Sequence, residues 1–144
     1  MSQAIWSDAL SLNVAAMDDI HQEFVATLAA LQSAPDGELV ARLDDLIVHT
    51  EEHFAQESVW MKAIQFPPIH CHEEEHDKVL IILKDVRNRA AAGDLALSRN
   101  LARELMPWFS HHAATMDNML AQVIREGGYE AKRAKCVRSE EKLE

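Results

Sequence analysis

Histidine and carboxylate recur along this chain at spacings that suit metal binding. His72 and His76 stand one helical turn apart, and so do His53 and Glu57. His112 and Asp117 are five residues apart, and His21 stands alone near the start of the chain. On a helix, imidazoles and carboxylates one turn apart present their ligand atoms to a common point, as a bound cation requires. The segment His72-Glu73-x-x-His76 also spells the H-E-x-x-H pattern of zinc proteases, in which two histidines hold zinc and the glutamate activates water. Two chemistries compete: hydrolysis at one zinc, or a larger site that draws on all seven side chains.

The elements that must position these residues read as helices. Breakers fall at Ser33–Gly37, Phe66–Pro68, Gly93–Asp94 and Gly127–Gly128, and the stretches between them have helical periodicity with no alternating strand. Helices are expected over 18–33, 37–64, 69–91 and 94–126, the last kinked or split at Pro107. Short loops between long helices imply antiparallel neighbours, hence an all-α, up-down-up-down four-helix bundle. Residues 1–17 form an N-terminal arm, 18–128 the bundle, and 129–144 a charged tail expected to be solvated. The apolar seams run through His21, Phe24, Val25 and Leu28 in the first helix. In the second they run through Leu39, Leu43, Leu46, Thr50, His53, Glu57 and Trp60. The third carries Ile69, His72, His76, Val79, Leu83 and Val86. The fourth carries Leu97, Leu101, Leu105, Trp108 and His112, with Asp117 on the adjacent stripe.

Every helix thus places histidine or carboxylate in an otherwise apolar seam, where an unpaired carboxylate costs several kcal/mol. The antiparallel topology brings the seven to one level. Counted from the first turn at about 1.5 Å per residue, His21 and His53 lie within about one turn of the same height. The protease reading uses only His72, Glu73 and His76, with Glu73 off the seam as a surface residue, and leaves five other core side chains unexplained. Carboxylate-rich di-iron bundles need a second Glu-x-x-His in a core seam, and none is present. Five imidazoles and two carboxylates suit iron, copper, nickel or zinc rather than calcium or magnesium. Seven donors are too many for one tetrahedral zinc and suit two metals bridged by carboxylates.

Bulk properties narrow the partners. A net charge of −10 over 144 residues argues against nucleic acid and anionic membrane. The longest strongly apolar run, Val79–Leu83, is far too short to span a bilayer, and the first residues do not pattern as a signal peptide. Cys71 and Cys136 read as two free thiols in a reducing compartment, so a cytoplasmic location is expected.

The segments MDDIHQEFVATLAAL, HTEEHFAQESVWM, FPPIHCHEEEHDKVL and WFSHHAATMDNML together resemble the single-domain bacterial hemerythrins, of the HHE cation-binding family. The resemblance runs from about Trp6 to Tyr129 and includes all seven ligand positions. It implies reversible dioxygen binding at a non-heme di-iron centre. His72, His76 and His112 would hold one iron, coordinatively full, and His21 and His53 the other, which keeps an open position. Glu57 and Asp117 would bridge the pair together with a hydroxide or oxide. The alternatives it leaves are a di-iron oxidase or peroxidase, and an oxygen-sensing or iron-handling module. Phe24, Phe54, Trp60, Met61, Trp108 and Met116 are candidate pocket or packing residues. The chain departs from the family pattern at His49, where tyrosine is frequent, and at Ala113, where a larger aliphatic residue is usual. His49 is expected at a polar boundary, Ala113 to leave space beside the oxygen position, and His70 and His111 to face solvent.

Overall fold

The computed structural model describes residues 3–133. The bundle consists of α1 (Ala15–Gln32), α2 (Leu39–Ala63), α3 (Ile69–Ala91) and a fourth, composite rod. That rod is α4 (Leu95–His112), a π-helical stretch (Ala113–Asp117) and α5 (Asn118–Gly127). Short 3-10 turns at Asp8–Leu10 and Asp36–Glu38 lie in the arm and before α2. Among the described residues there is no strand, and no helix is long and apolar enough to cross a membrane.

The expected bundle is present, and α3 begins and ends where its periodicity predicts. The fourth helix differs. It continues through Pro107, because Pro107 and Arg103, whose carbonyl loses its donor, both face water. The irregularity comes after His112, in the π-helical stretch. In a regular α-helix five residues overshoot a full turn by about 140°, whereas the i→i+5 bonds of a π segment close about one turn in five. The π stretch therefore brings Asp117 back onto the face that carries His112.

The buried face of α4 also differs from the expected seam. It consists of Ser98, Ala102, Leu105, Met106, Phe109 and His112, while Leu97, Leu101 and Trp108 are only half-buried. Ser98 and Ala102 are small enough for close helix approach, and this sets the rotation of α4 despite the larger leucines beside them.

The apolar core falls into two clusters. One, built on Phe24, Leu28, Leu31, Leu39, Leu43, Leu46, Leu83 and Phe109, fills the end with the α1–α2 turn. The other, built on Met17, Ile20, Trp60, Met61, Phe66, Leu120 and Ile124, fills the opposite end. The polar ligand candidates occupy the level between them.

The arm packs against the second cluster through Leu12 and Val14. The Asp18 carboxylate holds it, accepting from the Ser11 hydroxyl at 2.7 Å and the Leu12 amide at 2.8 Å. The chain beyond the bundle turns at Gly128, whose left-handed φ of 70° suits glycine, and Tyr129 N–H then bonds the Ile124 carbonyl at 3.2 Å. Tyr129 and Ala131 pack on the second cluster, so the start of the expected solvated tail is docked instead. The rest of that tail, 134–144 with Cys136, lies outside the described residues.

Asp18→Ala removes both hydrogen bonds that its carboxylate makes to the arm. It should lower stability by about 1–3 kcal/mol, the scale of hydrogen bonds to a charged acceptor, and speed amide exchange at Leu12 without changing helix content. Thermal melts with hydrogen-exchange mass spectrometry check it.

Candidate metal centre

All seven candidate ligands are buried at one level. His21 comes from α1, His53 and Glu57 from α2, and His72 and His76 from α3; His112 and Asp117 flank the π stretch. The ligand atoms fall into two groups, each within 4.8 Å, that share both carboxylates: Glu57, His72, His76, His112 and Asp117, and His21, His53, Glu57 and Asp117.

The two carboxylates divide their oxygens between these groups. Glu57 Oε2 lies 2.9 Å from His53 Nε2 and 3.4 Å from His21 Nε2. Its Oε1 lies 3.2 Å from His72 Nε2 and 3.3 Å from His76 Nε2. Asp117 Oδ2 faces His21 Nε2 at 3.2 Å, and Oδ1 faces His72 and His112 Nε2 at 3.0 and 3.3 Å. Hydrogen bonds within the protein do not satisfy this set. His76 Nε2, His112 Nε2 and both Asp117 oxygens are buried, close to opposite partners, yet not aligned to bond them. Such atoms are costly unless a cation accepts their lone pairs, and a donor set of five nitrogens and two carboxylates fits a pair of borderline transition-metal ions.

Without metal, the site holds protons instead. Burial works against charge on His21, but Asp117 and Glu57 outweigh it and raise its pKa to about 10. The same balance raises His72 to about 9. At His53 burial wins and the pKa falls. Burial pushes Glu57 up, but the imidazoles, His53 foremost, hold it well below the usual carboxylate range. Asp117 is also held low, against burial and the nearby Glu57 charge, by His112, His21 and His72.

Aromatic rings wall the cluster. Phe54 stacks on His76 at 3.7 Å between ring centres, and Trp108 on His112 at 4.8 Å. Phe109 meets His21 edge-on at 5.1 Å and packs on Phe24 at 4.9 Å. Phe109 adds to the pocket residues expected from sequence, and its position one turn before Ala113 is the local signal for it. Trp60 and Met61 belong to the second apolar cluster, and Met116 is half-buried. Ala113 is buried in the same cluster as Phe24 and Phe109.

Neighbouring residues fall outside the centre. His49 sits at the boundary, as expected: its Nε2 is 3.2 Å from Glu23 Oε1. Glu73, the would-be protease base, accepts from the Ser58 hydroxyl at 2.7 Å rather than serving the His72–His76 pair. His70, His111 and Cys71 are exposed.

The hemerythrin HHE cation-binding domain matches residues 12–124. A bacteriohemerythrin of Ralstonia nicotianae is 46% identical over 127 residues, which cover 88% of this chain and 93% of that one. One from Aquifex aeolicus is 30% identical over 114 residues, 75% and 87% of the two chains. The crystal structure of a hemerythrin with a leucine-to-alanine substitution shares the fold, with a TM-score of 0.77 at 23% identity, over 85% of this chain and 98% of that one.

The titrations set how the metal-free protein responds to pH. The protonated His21 and His72 pairs stabilise it fully below their unfolded-state pKa of 6.5, and that contribution is lost as pH rises through about 9 to 10. The depressed Glu57 and Asp117 contribute above the ordinary carboxylate range and lose their contribution in acid. The metal-free melting temperature should therefore peak between about pH 4.5 and 6.5 and fall on both sides. Metal loading displaces the imidazole protons, so the alkaline fall should vanish in the loaded protein while the acid fall persists. Melting curves of both forms from acid to about pH 10 check it; equal alkaline falls would contradict it.

Proposed function

Because this chain belongs to the hemerythrin family of HHE cation-binding domains, we propose that its buried centre holds two iron ions and binds dioxygen reversibly. The observation that carries this reading is the way Glu57 and Asp117 each turn one oxygen to either group of imidazoles, as carboxylates bridging two metals would. His72, His76 and His112 with the two carboxylates would hold one iron. His21 and His53 with the same carboxylates would hold the other, one protein donor short of the first. A pair of ferrous ions supplies the two electrons that dioxygen binding draws on and that its release returns.

The protein's own part is to position the ligands and keep the site dry. Both imidazoles of the four-donor half are flanked by phenylalanine: Phe109 edge-on to His21, and Phe24 edge-on to His53 at 6.2 Å. His49 turns to Glu23 at the boundary and does not place a proton donor between them. The phenylalanine rings give this half an apolar wall, which limits the water and protons that would make oxygen binding irreversible. It supports a carrier or storage role over an oxidase or peroxidase.

Anaerobic loading should give two irons per chain, and oxygen titration should give a visible band that disappears on deoxygenation. His112→Ala should lower iron content and melting temperature together. Phe109→Ala should keep both irons yet speed irreversible oxidation by on the order of tenfold, equivalent to ~1.4 kcal/mol of barrier. One tightly bound zinc per chain, or turnover of peroxide with no reversible band, would contradict the reading.

A further inference from the structure

The chain beyond α5 runs back over the bundle instead of away from it. The Trp60 indole N–H donates to the Lys132 carbonyl at 3.1 Å, and Tyr129 and Ala131 pack on the apolar cluster around Trp60. The next residue, Arg133, places both terminal guanidinium nitrogens on the Glu23 carboxylate of α1. Asp19 and Glu52 add to the negative field that draws it there. Glu23 Oε1 also accepts from His49 Nε2 at 3.2 Å, and the His49 ring lies edge-on to His53, with ring centres 6.1 Å apart.

These contacts locate the segment. Trp60 and His49 are separated on α2 by about 16 Å at ~1.5 Å per residue, and His53 lies between them. The Lys132 carbonyl meets the tip of the Trp60 side chain, and the Arg133 side chain reaches Glu23 beside His49, so the end of the segment lies against the α1–α2 rim beside the half that carries His21 and His53. That half has four protein donors against five in the other.

We propose that residues Tyr129–Arg133 form a strap that closes this rim, and that Arg133 is a positioning residue. It fixes Glu23, and through Glu23 the outward orientation of His49, so that small ligands reach the four-donor half only when the strap lifts. The proposal rests on the di-iron reading for the identity of the site it covers. An ion pair with 41% and 46% side-chain exposure is weak, which makes lifting frequent and sensitive to the charge at position 133.

The test uses full-length, iron-loaded ferric protein and azide as the probe, followed by stopped-flow absorbance. Arg133→Glu replaces attraction to Glu23 by repulsion. Association and dissociation rate constants should both rise by about fivefold or more, leaving the dissociation constant unchanged, as for a gate. Hydrogen exchange over 129–132 should rise in parallel. Arg133→Lys should restore wild-type rates, and a chain ending at Gly128 should match or exceed Arg133→Glu. Azide rates equal to wild type in both the Glu variant and the shortened chain would overturn the strap. So would a changed affinity at unchanged association rate. Failure of the wild-type protein to bind azide at all would overturn the di-iron reading and the gate with it, before any variant is compared.

Discussion

Two carboxylates buried among five imidazoles set the terms for this fold. Glu57 and Asp117 are fully buried, at a level where the core would otherwise be continuous. Burying such charges unpaired costs several kcal/mol each, so each must face cations or protons. The sequence meets that demand from four helices at once, and the apolar core is divided into two clusters as a result. The antiparallel topology brings ligands from the start of α1, the end of α2 and the start of α3 to one height. The π stretch rotates Asp117 to join them.

Within that layer, the asymmetry of the donors shapes the proposed chemistry. Five protein donors gather on one side and four on the other, with both carboxylates common to the two. The four-donor side is the one flanked by Phe24 and Phe109 and bordered by the α1–α2 rim. A less saturated metal in a drier surround favours binding of a small neutral ligand over its protonation. The same features explain why the H-E-x-x-H match is incidental. Its two histidines belong to a larger cluster, and its glutamate is engaged with Ser58.

Much of this was legible in the sequence because burial of polar ligands leaves a periodic trace. His53 and Glu57, like His72 and His76, sit one turn apart in seams of leucine and valine, and helical height alone brought them together. Three features were not legible. The five-residue gap from His112 to Asp117 conflicts with α-helical geometry, but only the backbone shows that a π stretch resolves it. The rotation of α4 departs from the leucine seam because Ser98 and Ala102, small and inconspicuous, outrank Leu97 and Leu101 where helices pack closely. The docking of 129–133 depends on a carbonyl acceptor and one guanidinium meeting residues more than 70 and 100 positions away, which no local pattern encodes.

The central claim is that two irons lie between these imidazole groups, with Glu57 and Asp117 joining them. Anomalous diffraction at the iron edge from crystals of the loaded protein tests it most directly. The account predicts two iron peaks of equal weight, each contacted by one oxygen of Glu57 and one of Asp117. The peak beside His72, His76 and His112 should have three imidazoles, and that beside His21 and His53 should have two. A single peak, or two peaks that share neither carboxylate, would contradict it.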